Sequence, residues 1–149
     1  MPDASHVAED DVVRRLQEML LSAVLLRRPM PGSDRPLVLP DLEFVLRQGS
    51  VILTNENLSG RLSVEGLPKP LQILSPAEVR AKAEGEGDLA YVRFRPPSRE
   101  DTVIRITLEA RIAPRDPERV VLGLSGVQVD FQEVDGEWEV AGEPAFFAA

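Results

Sequence analysis

The sequence has no cysteine, one histidine (His6) and two lysines (Lys69 and Lys82) among its 149 residues. Without thiols it has no disulfide framework, no thiolate zinc site and no cysteine nucleophile. With His6 as the lone imidazole, a Ser-His-Asp site has no base to draw on elsewhere. His6 and Asp10 stand four apart, on one helical face, and could hold a metal weakly. So close to the end of the sequence, where chains fray, the plainer reading is a solvated side chain. No catalytic residue, metal ligand or cofactor site is assigned.

Aromatic residues make up 5% and are scattered, so no stacking platform for nucleic-acid bases is visible. Positive charge is also scarce. The formal net charge of −8 gives no field that would attract nucleic acid or an anionic membrane. The longest apolar run, Met19 to Leu26 with Ser22 inside it, falls well short of the ~20 residues a bilayer requires. The first residues are acidic (Asp3, Glu9, Asp10, Asp11) where a secretory signal would be basic and then apolar, so a cytoplasmic location is expected. Of the 17 basic residues 15 are arginine, whose fork suits phosphate recognition. In an acidic chain, the codon bias of a GC-rich gene is the simpler source of that excess.

What is present fits one globular domain over residues 1–149, at 43% hydrophobic and 28% charged. Residues 5–28 read as a long helix. Ser5 or Asp3 can cap its start, acids sit near its positive end, Arg27 and Arg28 near its negative end, and Pro29 stops it. Val12, Leu16, Met19, Leu20, Ala23 and Leu26 share one face. The second half is apolar almost all round, so either a sheet wraps it or a second subunit covers what the sheet leaves bare. Pro29, Pro31, Pro36 and Pro40 make 29–41 an extended connection.

From 42 to 147 strand signals dominate. Alternation predicts strands at 42–47, 50–54 and 58–65, the first two joined by a Gln48-Gly49 turn. Residues 75–84 carry both a helix-start signature, Ser75-Pro76-Ala77-Glu78, and a two-residue alternation of Ala77, Val79, Ala81 and Ala83. The Gly85–Asp88 turn after them tips the reading toward a strand. Ile104, Ile106, Leu108, Ala110 and Ile112 alternate with Arg105, Thr107, Glu109 and Arg111. In 119–134 the apolar phase slips between Leu122/Leu124 and Val127/Val129/Phe131, beside Gly123 and Gly126, as at a β-bulge. Asp135-Gly136 is a hairpin turn into Glu137–Val140.

Three short motifs have plain readings. Gly123-Leu-Ser125-Gly126 lacks the glycine at 127 that a nucleophile elbow needs. Gly85-Glu-Gly87-Asp88 carries two carboxylates, which a phosphate cradle would not. Asn57-Leu58-Ser59 matches a glycosylation sequon by chance. Arg93, Arg95, Arg105 and Arg111, placed opposite Asp130, Glu137 and Glu139 on neighbouring strands, predict cross-strand ion pairs on a solvated face.

The fold class is therefore α+β: a long N-terminal helix packed on a strongly curved antiparallel sheet of six to eight strands. In element order, with its closing Gly136-Glu-Trp138 strand and charged outer face, the chain resembles the cystatin-like and nuclear-transport-factor-2-like rolls. The latter carry more helices before the sheet, and no site residue is transferred from either. The function expected is a non-enzymatic interaction or ligand-binding domain, a homodimer whose interface uses Leu20, Val24, Leu25, Phe146 and Phe147. The two aromatics near the C-terminus are expected to dock on the helix or on a partner. The alternative is a carrier of a small apolar ligand or lipid, or a small-molecule enzyme. Its pocket would lie between helix and sheet, lined by Met19, Leu42, Phe44, Val92, Phe94, Ile106 and Leu108.

Overall fold

The computed structural model describes residues 4–148, with the backbone alone for residues 4–8. The expected roles of Asp3, and of the Ser5 and His6 side chains, lie outside the described residues. Helix α1 spans Ala4–Leu26, about 34 Å of helix. It ends where Arg27 turns left-handed (φ 53°) and the Arg28 N–H donates to the Ala23 carbonyl at 3.0 Å, the six-to-one closure that usually employs glycine.

One sheet follows, built from β1 (Val51–Thr54), β2 (Leu71–Leu74), β3 (Leu89–Phe94), β4 (Ser98–Glu100), β5 (Val103–Ala113), β6 (Leu122–Val134), β7 (Glu137–Val140) and β8 (Ala145–Ala148). The order is β2-β1-β3-β5-β6-β7, with β4 on the free half of β5's edge and β8 on that of β6. The sheet is strongly curled and mostly antiparallel, as the alternation predicts. The exceptions are β1–β2 and β1–β3, which pair in parallel. At the turn after β6 both Asp135 (φ 52°) and Gly136 (φ 82°) are left-handed, the type I′ geometry that suits a twisted hairpin. The bulge falls where the phase slips: Ser125 faces Ala110 and Gly123 faces Arg111, leaving Leu124 without an opposite residue.

Three segments depart from the expected strands. Residues Leu42–Leu46 form a short helix, α2, with Leu42 and Val45 turned inward. The Gln48-Gly49 turn is accordingly not a hairpin. The Gln48 amide instead donates to the Ala90 carbonyl at 2.7 Å and its oxygen accepts from the Ala90 N–H at 2.8 Å. Residues 58–65 are irregular and lie along α1. Residues Pro76–Glu86 are helix α3, not a strand. There the Ser75 side chain accepts from the Glu78 N–H at 3.1 Å while the Glu78 carboxylate accepts from the Ser75 N–H at 3.0 Å. This capping box, with Pro76 in the first turn, outweighs the alternation. Only Val79 and Ala83, four apart, are buried.

The core lies on both faces of the sheet. On one, Leu16, Leu20, Leu21 and Val24 of α1 pack with Val92, Phe94, Ile104, Ile106, Leu108, Val127, Val129 and Phe131. Burying each large side chain contributes about 1.5–3 kcal/mol. On the other, α3 packs Val79 and Ala83 against Ile52, Leu89, Tyr91 and Ala113. The far side of α1 is closed by the connecting segments. Leu37, Leu39 and Leu62 join the same core, and buried Gln17 donates to the Asn57 carbonyl at 2.8 Å and accepts from the Ser59 N–H at 3.2 Å.

Candidate functional site

Five of the residues expected to line a helix–sheet pocket, Leu42, Val92, Phe94, Ile106 and Leu108, are buried in one core with α1, and Met19 packs against it half-buried. None of them lines any of the surface depressions described below. Phe44 is elsewhere. Because 42–46 is helical, it points outward, 45% exposed, with the Arg47 guanidinium 5.9 Å from its ring. Of the residues expected at an interface, Leu20, Val24 and Leu25 are buried by the chain itself. The sheet and residues 37–67 between them cover Leu20, Val24 and Leu25.

Phe146 and Phe147 lie on β8, paired with β6, not on α1. Phe146 stands opposite Val127, and is 51% exposed. Phe147 stands opposite Gly126, so its ring falls on the other face of the sheet. There the Arg95 guanidinium stacks on it, 4.6 Å from the centroid. A Cβ on Gly126 would meet that ring at 2.3 Å, so only glycine gives the ring this seat. The free edge of β8 makes no backbone hydrogen bond among the described residues.

The solvated face carries charge in a different order from the one expected. Arg105 pairs with Asp130 as predicted, through two contacts of 2.8 and 3.2 Å. Arg93 and Arg95 instead converge on Glu109 of the central strand, which is buried. Arg95 Nε donates to Glu109 Oε2 at 3.0 Å, and Arg93 Nε lies 3.1 Å from Oε1 without hydrogen-bond alignment. Arg93 also reaches Glu56 at 3.4 Å.

Beside this cluster is a depression of about 340 Å³ between the first turns of α3, strands β3 and β5, and the end of the β5–β6 loop. Its charged lining is Arg80, Arg93, Arg111 and Glu56. Its apolar lining is Pro76, Val79, Val120 and Val121, with Tyr91 between the two sets. Tyr91 and Arg111 are register partners across β3 and β5. Burial pushes the Tyr91 phenol above its ordinary value, against the opposing pull of the Arg111 charge. Among the described residues, the ion pairs include neither Arg80 nor Arg111. A larger depression, about 940 Å³, opens on the other flank of the same loop. There Glu84, Asp88, Asp116 and Glu118 outnumber Arg115 and Arg119.

Ser125 of the Gly-Leu-Ser-Gly motif lies in mid-strand, its buried Oγ without a partner among the described residues and without a base beside it. Also among the described residues, no group of three or more acidic or imidazole side chains could hold a metal ion, and no helix is long and apolar enough to cross a membrane. Sequence reasoning missed the arginine-lined depression because Arg80 belongs to a segment read as a strand. No local pattern encodes the Tyr91–Arg111 register that completes it. The chain matches no family model, no curated protein and no solved structure.

Proposed function

We infer that this chain is a non-enzymatic interaction domain that self-associates through β8. The observation that carries the reading is the open edge of that strand. Its sequence, Ala-Phe-Phe-Ala, is only four residues long but has no charge, no proline and no bulge, three of the features that keep sheet edges apart. Phe146, half-exposed, adds apolar area beside the unpaired backbone. Two copies related by a two-fold axis normal to the sheet would pair β8 antiparallel, with like faces continuous. That register sets Phe146 against Phe146 of the second copy, or Phe147 against Phe147. Leu20, Val24 and Leu25 take no part in this association, since the chain itself covers them. The carrier reading is not supported by the packed interior between α1 and the sheet.

Sedimentation velocity over a wide concentration range tests this. The expected result is a concentration-dependent dimer that Phe146→Lys converts to monomer with an unchanged circular dichroism spectrum. A wild-type protein that stays monomeric at its highest soluble concentration overturns the reading, as does a dimer indifferent to Phe146→Lys.

A further inference from the structure

We propose that the depression between α3, β3, β5 and the β5–β6 loop binds a small organic anion, a carboxylate or phosphate head on an apolar body. The chain as a whole is acidic, at −8, yet this hollow gathers three guanidiniums against the single carboxylate of Glu56. Arg93 is committed, to Glu56 and to Glu109 beneath it. Arg80 and Arg111 are not. They rise from different elements, an exposed helix turn and a central strand, and meet at one cavity. Two cations that line one hollow without ion-pair partners of their own among the described residues favour a bound oxyanion. The planar fork of arginine matches the paired oxygens of a carboxylate or phosphate.

The remaining wall sets the rest of the ligand. Pro76, Val120 and Val121 offer accessible apolar surface next to the guanidiniums, above a floor of buried Val79 and Tyr91. The volume of about 340 Å³ sits at the small end of ligand pockets. A polyanion would have to lie across the acidic surface outside the hollow, where Asp116 and Glu118 stand on the far flank of the loop. A compact anion with one head group and one ring or short chain fits both constraints.

Isothermal titration with phenyl phosphate, benzoate and inorganic phosphate tests the site, with phenol as the uncharged control. Phenyl phosphate or benzoate is expected to bind more tightly than phenol and than inorganic phosphate, and more weakly as salt is raised. The tighter of the two identifies the head group. Arg80→Gln and Arg111→Gln are each expected to weaken that binding about tenfold. Arg105→Gln, which loses only the exposed pair with Asp130, should leave it unchanged. Arg80 is exposed on a helix, so its variant folds whatever Arg111→Gln does to the sheet. Anions that bind no better than phenol overturn the proposal. So does equal affinity in wild type and Arg80→Gln.

Discussion

Gly126 shows how one missing side chain organises three strands. Its bare Cα is the seat for the Phe147 ring, the ring is the platform for Arg95, and Arg95 helps neutralise buried Glu109. In Gly126→Ala the new methyl would also press on the Leu108 carbonyl, 2.9 Å away, which is backbone and cannot swing aside. The substitution should cost about 1–3 kcal/mol in urea unfolding, the usual range for overpacking. Combined with Phe147→Ala the cost should be smaller than the sum, since both act on one contact. A Gly126→Ala protein as stable as wild type would remove this account. From the sequence alone, Gly126 reads only as a glycine beside a phase change. Its actual partner is 21 residues away on a strand whose pairing no local pattern encodes.

Among the elements, those with a local cause were legible and those shaped by the tertiary structure were not. The long helix, the β5 alternation, the bulge and the Asp135-Gly136 turn each follow from periodicity or from a residue's own backbone preference. Helix α2 is five residues, too short to show a helical period, and Leu42, Phe44 and Leu46 happen to alternate. Helix α3 had two conflicting local signals, and the capping box won. That box gives α3 an acid-sensitive start. The Ser75 backbone N–H, followed by its hydroxyl, holds the Glu78 carboxyl below its ordinary value. A depressed carboxyl pKa stabilises the fold above the unfolded-state value, and the contribution fades as pH falls through the folded-state value. Glu78→Ala should therefore lower the thermal midpoint at neutral pH, and the gap to wild type should shrink on acidification below pH ~4. A gap that does not change with pH would mean that the Glu78 charge contributes nothing, since alanine itself favours the helix.

For the molecule as a whole, the α+β layering could be read from the chain, while the binding surfaces could not. Hydrophobic pattern reports which residues are inside, and it placed Leu42, Val92, Phe94, Ile106 and Leu108 there. It does not report whether an interior is hollow, nor which solvated side chains meet. Arg80 and Arg111 come together only through the packing of α3 on the sheet, 31 positions apart in sequence. The edge of β8 is open because β8 pairs with β6 alone, on the outermost side of the sheet.

The docking of α1 on strands β5 and β6 also fixes a timetable during synthesis. About 100 residues separate the end of α1 from the middle of β6. At ~5–20 residues per second, the helix leaves the ribosome roughly 5–20 s before its sheet exists. Over that interval Leu16, Leu20 and Val24 have no sheet to cover them. Ribosome-held chains halted before β5 should photocrosslink from position 20 to a nascent-chain chaperone, and full chains carried clear of the exit tunnel by a C-terminal linker should not. Protection of Leu20 in the shorter chains would mean that residues 37–67 sheathe the helix by themselves, ahead of the sheet.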